Sequence, residues 1–164
     1  VNIKQQARIV KSLRKRIIDV TCIHGCTECC GPVPMTLWEL RQMGEPVREN
    51  SIEKMECIFK SENGCSNYEQ RPIICRVFGT MDKSQIVNNS PMNYLCCNKQ
   101  YSLTSYMPAY NIETIMRNYI KGNPFLWLSQ HDLDLLGGAD VKVMQIDNIF
   151  WGGKNRARLI KTTN

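Results

Sequence analysis

The hydrophobic positions fall into three regimes along the chain. Over residues 2–19, Ile3, Ala7, Val10, Leu13 and Ile17 recur at steps of three and four, which places them on one face of a helix. Basic residues fill the rest of that segment. A shorter helix is predicted in "TLWELRQMG", where Thr36 and Glu39 have the spacing of a capping box and Gly44 supplies a stop. In the last third, Ile112, Ile115, Met116, Tyr119 and Ile120 form a second helical stripe, ended by Gly122. Residues 124–136 are expected to form a further helix. The segments "VKVMQIDNIFW" and "KNRARLIK" flank Gly152-Gly153, which predicts a C-terminal β-hairpin.

The middle of the chain lacks such periodicity. Gly25, Gly31, Pro32 and Pro34 make residues 22–34 a loop. Residues 57–68, "CIFKSENGCSNY", read as two short extended pieces joined by an Asn63-Gly64 turn that brings Cys57 toward Cys65. "RPIICRVFG" carries a proline suited to a first helical turn, with Cys75 on that helix. Residues 79–95 read as loop or weak strand. The predicted fold class is α+β: an irregular cysteine-rich lobe organised around metal, flanking helices and a C-terminal hairpin. At 164 residues a single domain is expected. Its parts are a basic helix (1–21), a cysteine region (22–97) and a helix-and-hairpin part (98–164).

Charge separates the ends from the centre. The net charge is +6. Residues 1–21 carry +5, residues 154–164 carry +4, and the intervening stretch carries −3. A basic helix and a basic tail are expected either to be solvated faces or to contact nucleic acid or an acidic protein. No apolar run reaches the roughly 18–20 residues of a membrane span, and no signal peptide is visible, so the chain is expected to be cytoplasmic.

That compartment bears on the nine cysteines, Cys22, Cys26, Cys29, Cys30, Cys57, Cys65, Cys75, Cys96 and Cys97. All fall within residues 22–97, and their number is odd. In a reducing cytosol, clustered thiols hold metal more often than they form disulfides. Thiolates are soft donors that suit zinc and iron–sulfur clusters. Conventional catalytic patterns are weak by comparison. His24 lies inside the cysteine loop as a bystander, His131 reads as a surface histidine, and neither a phosphate-cradling glycine loop nor a paired-carboxylate motif stands out.

The run Cys22-x3-Cys26-x2-Cys29-Cys30-Gly31, followed by Cys57-Ile58-Phe59, Gly64-Cys65 and Tyr68-x2-Arg71-Pro72-x2-Cys75-Arg76-x-Phe78, resembles the CxxCxxCC family of zinc- or iron-chelating domains. The resemblance covers residues 22–97. It departs from the family pattern in having three residues between the first two cysteines and a Cys96-Cys97 doublet where one late cysteine suffices. It implies metal chelation by cysteines without fixing a reaction. A flagellin lysine-methylating group is similar in this signature, and there an iron–sulfur cluster is implied.

Adjacent cysteines point in different directions on most backbones, so Cys29 and Cys30 are poorly placed to bind one zinc ion together. The Cys-x3-Cys-x2-Cys spacing favours a [4Fe–4S] cluster over zinc, while Cys57 and Cys65 across a hairpin suit either. The same spacing matches the radical S-adenosylmethionine signature. That match is read as coincidence, because Glu28 stands where an aromatic residue usually precedes the third cysteine and no alternating βα pattern follows. Arg71 and Arg76 flank Cys75 and are expected to offset thiolate charge around the centre. Two function classes result: a metal protein that contacts a partner through its basic ends, or an iron–sulfur-dependent enzyme or redox protein.

Overall fold

A computed structural model describes residues 1–20, 25–28, 30–47, 54, 56–80, 106–126, 141–145 and 158–161. From residue 125 onward the description is of the backbone. Helix α1 spans Ile3–Arg14. It opens with a reciprocal cap in which Asn2 Oδ1 accepts from the Gln5 N–H and Gln5 Oε1 accepts from the Asn2 N–H, each at 3.0 Å. It ends five residues before the expected boundary at residue 19. The Arg16 N–H turns back to the Leu13 carbonyl at 2.9 Å, and Asp19–Val20 run on without helical structure. That break leaves the Val20 carbonyl available to Tyr68 and Arg71.

Strand β1 (Pro34–Met35) leads into α2 (Leu37–Met43), whose predicted capping box and glycine stop are both present. Gly44 takes φ +77°, a conformation that glycine reaches without strain. Next come β2 (Lys60–Ser61), β3 (Gly64–Cys65), a 3₁₀ turn at Tyr68–Gln70 and α3 (Ile73–Val77). After a stretch outside the described residues, α4 spans Ala109–Ile120, then β4 (Phe125–Leu126), β5 (Val141–Gln145) and β6 (Arg158–Lys161). Two antiparallel sheets result, one in the order β1-β4-β5-β6 and one made of β2 and β3.

The expected helix over 124–136 is corrected at its start. Phe125 and Leu126 pair with Met35 and Pro34 as a strand, so sheet pairing overrides the helical reading there. Residues 127–136, the Gly152-Gly153 turn and residues 81–105 lie outside the described residues.

The main core joins α1, α3 and α4 through Val10, Leu13, Ile73, Ile74, Val77 and Tyr119, with the α4 stripe of Ile112, Ile115 and Met116 at its centre. Each such fully buried aliphatic side chain contributes about 1.5–3 kcal/mol. A second cluster of Met35, Met43, Ile58 and Phe59 lies under the cysteine hairpin, with Cys57 and Cys65 packed against it. Among the described residues no helix is long and apolar enough to cross a membrane.

Among the described residues one carboxylate sits within this apolar framework. Glu39 is fully buried. Its Oε2 accepts from the Thr36 N–H at 2.9 Å and from the Tyr119 hydroxyl at 2.7 Å, while its Oε1 accepts from the Ile73 N–H at 2.8 Å. The cap therefore does more than start α2. The carboxylate also holds the first residue of α3 and the last turn of α4.

Candidate metal centre

Five of the nine cysteines, Cys26, Cys30, Cys57, Cys65 and Cys75, are among the described residues, and all five are half-buried. Cys22, Cys29, Cys96 and Cys97 lie outside them, as do His24 and His131.

Four cysteines from separate stretches of chain line one cavity: Cys30, Cys57, Cys65 and Cys75. Backbone bonds fix three of these stretches to one another. The Cys57 N–H donates to the Cys30 carbonyl at 2.8 Å, which ties the end of the first cysteine loop to the second segment. Cys57–Lys60 form a turn rather than a strand, with the Lys60 N–H on the Cys57 carbonyl at 2.9 Å. Within that turn the Phe59 N–H points at Cys57 Sγ, 3.4 Å away. An amide aimed at sulfur favours the thiolate.

The hairpin then returns the chain so that Cys65 pairs with Lys60. Its two loop residues are Glu62 and Asn63, one position earlier than the expected Asn63-Gly64. Gly64 occupies the first position of β3 and alone carries a positive φ, +110°. A tight turn followed by glycine meets the same geometric need as the expected turn. Cys75 reaches the cavity from α3, whose first N–H is held by Glu39.

Apolar side chains, Val20, Val33, Met35, Met43, Phe59 and Phe78, make up much of the remaining wall. In such surroundings a thiol resists ionisation. Burial pushes Cys57 above its ordinary value, the Phe59 N–H pulls the other way, and the neighbouring Cys65 adds to the upward push. Ligation at Cys57 therefore requires release of a proton.

The Tyr68-x2-Arg71 pair of the sequence motif has a positional role. The Tyr68 hydroxyl and Arg71 Nη2 both donate to the Val20 carbonyl, at 3.0 and 2.8 Å. The Arg71 guanidinium lies 3.8 Å from the centre of the Tyr68 ring. Both side chains thus grip the residue from which the first cysteine loop departs. Asn67 Nδ2 donates to the Gln42 carbonyl at 3.2 Å and so joins the same segment to the end of α2.

Arg71 lines the cysteine cavity, whereas Arg76 lines an adjoining polar one. Sequence reasoning assigned Arg14 to the solvated face of α1, but the structure turns it inward. Its Nη2 donates to the Gln70 carbonyl at 3.1 Å, and its guanidinium lies 5.4 Å from the Trp38 ring centre. The available signal was its position four residues after Val10, at the edge of the apolar stripe. Gln6 is similarly buried, with Nε2 on the Gly122 carbonyl and Oε1 on the Trp38 N–H.

The chemistry of this donor set fits a thiolate-bound metal group: several thiols facing one largely apolar cavity, with an amide aimed at one sulfur and a guanidinium in the wall. Among the described residues, no three Cys, His, Asp or Glu side chains form a ready-made site for a single ion.

Comparison with known families meets this geometry at the same residues. The CxxCxxCC model, described as "Putative zinc- or iron-chelating domain", matches residues 21–97. Over that segment the chain is similar to the CxxCxxCC family. The CxxCxxCC assignment supports metal chelation, with zinc and iron both within the family's description. No curated protein and no solved structure matches the chain.

Proposed function

We propose that this CxxCxxCC domain holds a metal centre through the thiolates of Cys30, Cys57, Cys65 and Cys75, with further ligands drawn from Cys22, Cys26, Cys29, Cys96 and Cys97. The observation that carries this reading is the convergence of four cysteines from separate chain segments on one cavity. A [4Fe–4S] cluster is favoured over zinc. The cavity offers about 60 Å³, several times the roughly 10–15 Å³ that one water requires. A multi-atom group uses such space, whereas a lone ion drawn in by four thiolates about 2.3 Å away leaves it unfilled. The centre supplies organisation to a loop-rich segment and, if reducible, one-electron chemistry. Arg71 offsets part of the negative charge of the ligated thiolates.

Single Cys→Ser changes at the four positions, read by metal per chain on anaerobically purified protein, test the assignment. Loss of metal in each supports it. Full retention in all four overturns it.

The described basic residues of the N-terminal segment favour a docking role for that face. Lys4, Arg8, Lys11, Lys15 and Arg16 are all exposed, and α1 contains no acidic residue. An acidic protein or nucleic acid is the corresponding partner class, with the basic C-terminal tail as a second contact. Salt-dependent binding to nucleic acid is the check; absence of binding at low salt removes that version. A redox or catalytic use of the same centre is the second reading. The polar cavity across the Tyr68–Arg71 wall favours it, because it provides room for a second molecule beside the centre.

A further inference from the structure

The second cavity has about 280 Å³ of space. Its walls include Arg14 from α1, Asp19, Tyr68 and Glu69, Arg71, and Arg76 from α3. The charges in it are unequally placed. Arg71 is buried, its side chain only 7% exposed, whereas the Asp19 side chain 3.5 Å from its Nη2 is 87% exposed. Glu69 is also exposed. Carboxylates in water screen buried guanidiniums weakly. Three arginines, Arg14, Arg71 and Arg76, thus line one cavity.

An independent observation points to a missing acceptor. Among the described residues, two buried side-chain polar atoms lack a hydrogen-bond partner, Arg14 Nε and Arg71 Nε. Both residues line this cavity. A buried, charged N–H without an acceptor is costly, and two on side chains that line one polar space point to a ligand that accepts. A carboxylate offers two oxygens. A tetrahedral oxyanion offers more acceptor oxygens and a larger charge, which matches several guanidinium forks better.

We propose that the cavity between α1 and the Tyr68–Arg76 segment is a binding site for a phosphate group, with Arg14 and Arg71 as donors and Arg76, whose Nε and Nη2 donate to the Arg71 and Glu69 carbonyls, as a neighbouring positive charge. This site does not depend on which metal the cysteines hold. Arg71 walls both cavities, so the phosphate lies beside the thiolate centre with one guanidinium between them.

Isothermal titration of the full, anaerobically purified chain at fixed ionic strength tests this. One arm uses inorganic phosphate, and a second uses a simple phosphomonoester such as glycerol phosphate. The expected result is saturable one-to-one binding, weakened about tenfold or more in R76Q and unchanged in K15Q, which removes a charge from the exposed face of the N-terminal segment. Tighter binding of the ester identifies a phosphorylated small molecule as the ligand; equal or weaker binding identifies free phosphate. Absence of saturable binding by either probe in the millimolar range overturns the proposal, as does equal weakening in R76Q and K15Q. Should R76Q fail to fold, R14K replaces it, because loss of the planar fork of a donor is expected to weaken binding while K15Q does not.

Discussion

Replacing Glu39 with Gln keeps the shape of the side chain and removes its charge. In the folded protein the two carboxylate oxygens accept from two backbone N–H groups and from the Tyr119 and Thr36 hydroxyls, at 2.7–2.9 Å, with no exposure to water. An amide places an NH₂ where one of these oxygens was. If it replaces Oε1 it faces the Ile73 N–H, and if it replaces Oε2 it faces the Thr36 N–H. Either orientation leaves at least one buried backbone donor without an acceptor, at about 1–3 kcal/mol, and the surviving bonds lose the strength that charge gives them. Relief of carboxylate desolvation offsets part of this. The expected net loss is about 2–4 kcal/mol. For a chain of this size, 1 kcal/mol lowers Tm by roughly 2–4 °C, so E39Q is expected to melt about 5–15 °C below wild type. Thermal melting followed by far-ultraviolet circular dichroism measures this. Because Glu39 holds the first residue of α3, which carries Cys75, E39Q is also expected to release metal to a chelator faster. A Tm change under about 2 °C, or E39A no less stable than E39Q, would refute the view of Glu39 as the joint of α2, α3 and α4.

Tyr119→Phe removes the hydroxyl that bonds Glu39 and is expected to cost about 1–2 kcal/mol, measured by denaturant unfolding. Burial and the neighbouring Glu39 hold the Tyr119 phenol well above its ordinary value. Its protonated form is thus favoured by folding, and that stability is fully present below about pH 10 and lost as pH rises through the higher folded value. Wild type should therefore lose stability above about pH 10 more steeply than Y119F; parallel curves would contradict this. At Gly122 an added Cβ meets the Tyr119 carbonyl at 3.1 Å and Thr36 Cγ2 at 3.2 Å. G122A is accordingly expected to lower stability by about 1–3 kcal/mol, and an unchanged or raised Tm would show that the α2–α4 contact yields freely.

The elements legible in the sequence are those specified by local chemistry. The Thr36/Glu39 cap, the Gly44 stop and the Ile112–Tyr119 stripe each depend on residues within a few positions of one another, and each is present. Contacts made across the chain were less legible. The helix expected through residue 19 ends at Arg14, and Val20 beyond it meets Tyr68 and Arg71, about fifty positions away. Phe125-Leu126 carries no local mark of its pairing with Pro34-Met35. The inward turn of Arg14 depends on Trp38 and the Gln70 carbonyl, neither of which its neighbours in sequence announce. At the candidate site, the cysteine spacing and the Tyr68–Phe78 run mark the region for metal. The facing of Cys30, Cys57, Cys65 and Cys75 around one cavity required the fold. The polar cavity was hidden for the same reason, since its arginines come from α1 and from the segment that follows the hairpin.

The central claim is that the cysteine cavity holds a multi-atom thiolate-bound centre. Its most direct test is the metal and acid-labile sulfide content of the full chain purified without oxygen, together with its visible absorption spectrum. The account predicts about four iron and four sulfide per cluster, a visible chromophore, and loss of both when Cys57, Cys65 and Cys75 are replaced by Ser together. A colourless protein containing zinc alone would contradict the cluster, and a metal-free protein that does not take up iron or zinc would contradict the centre itself.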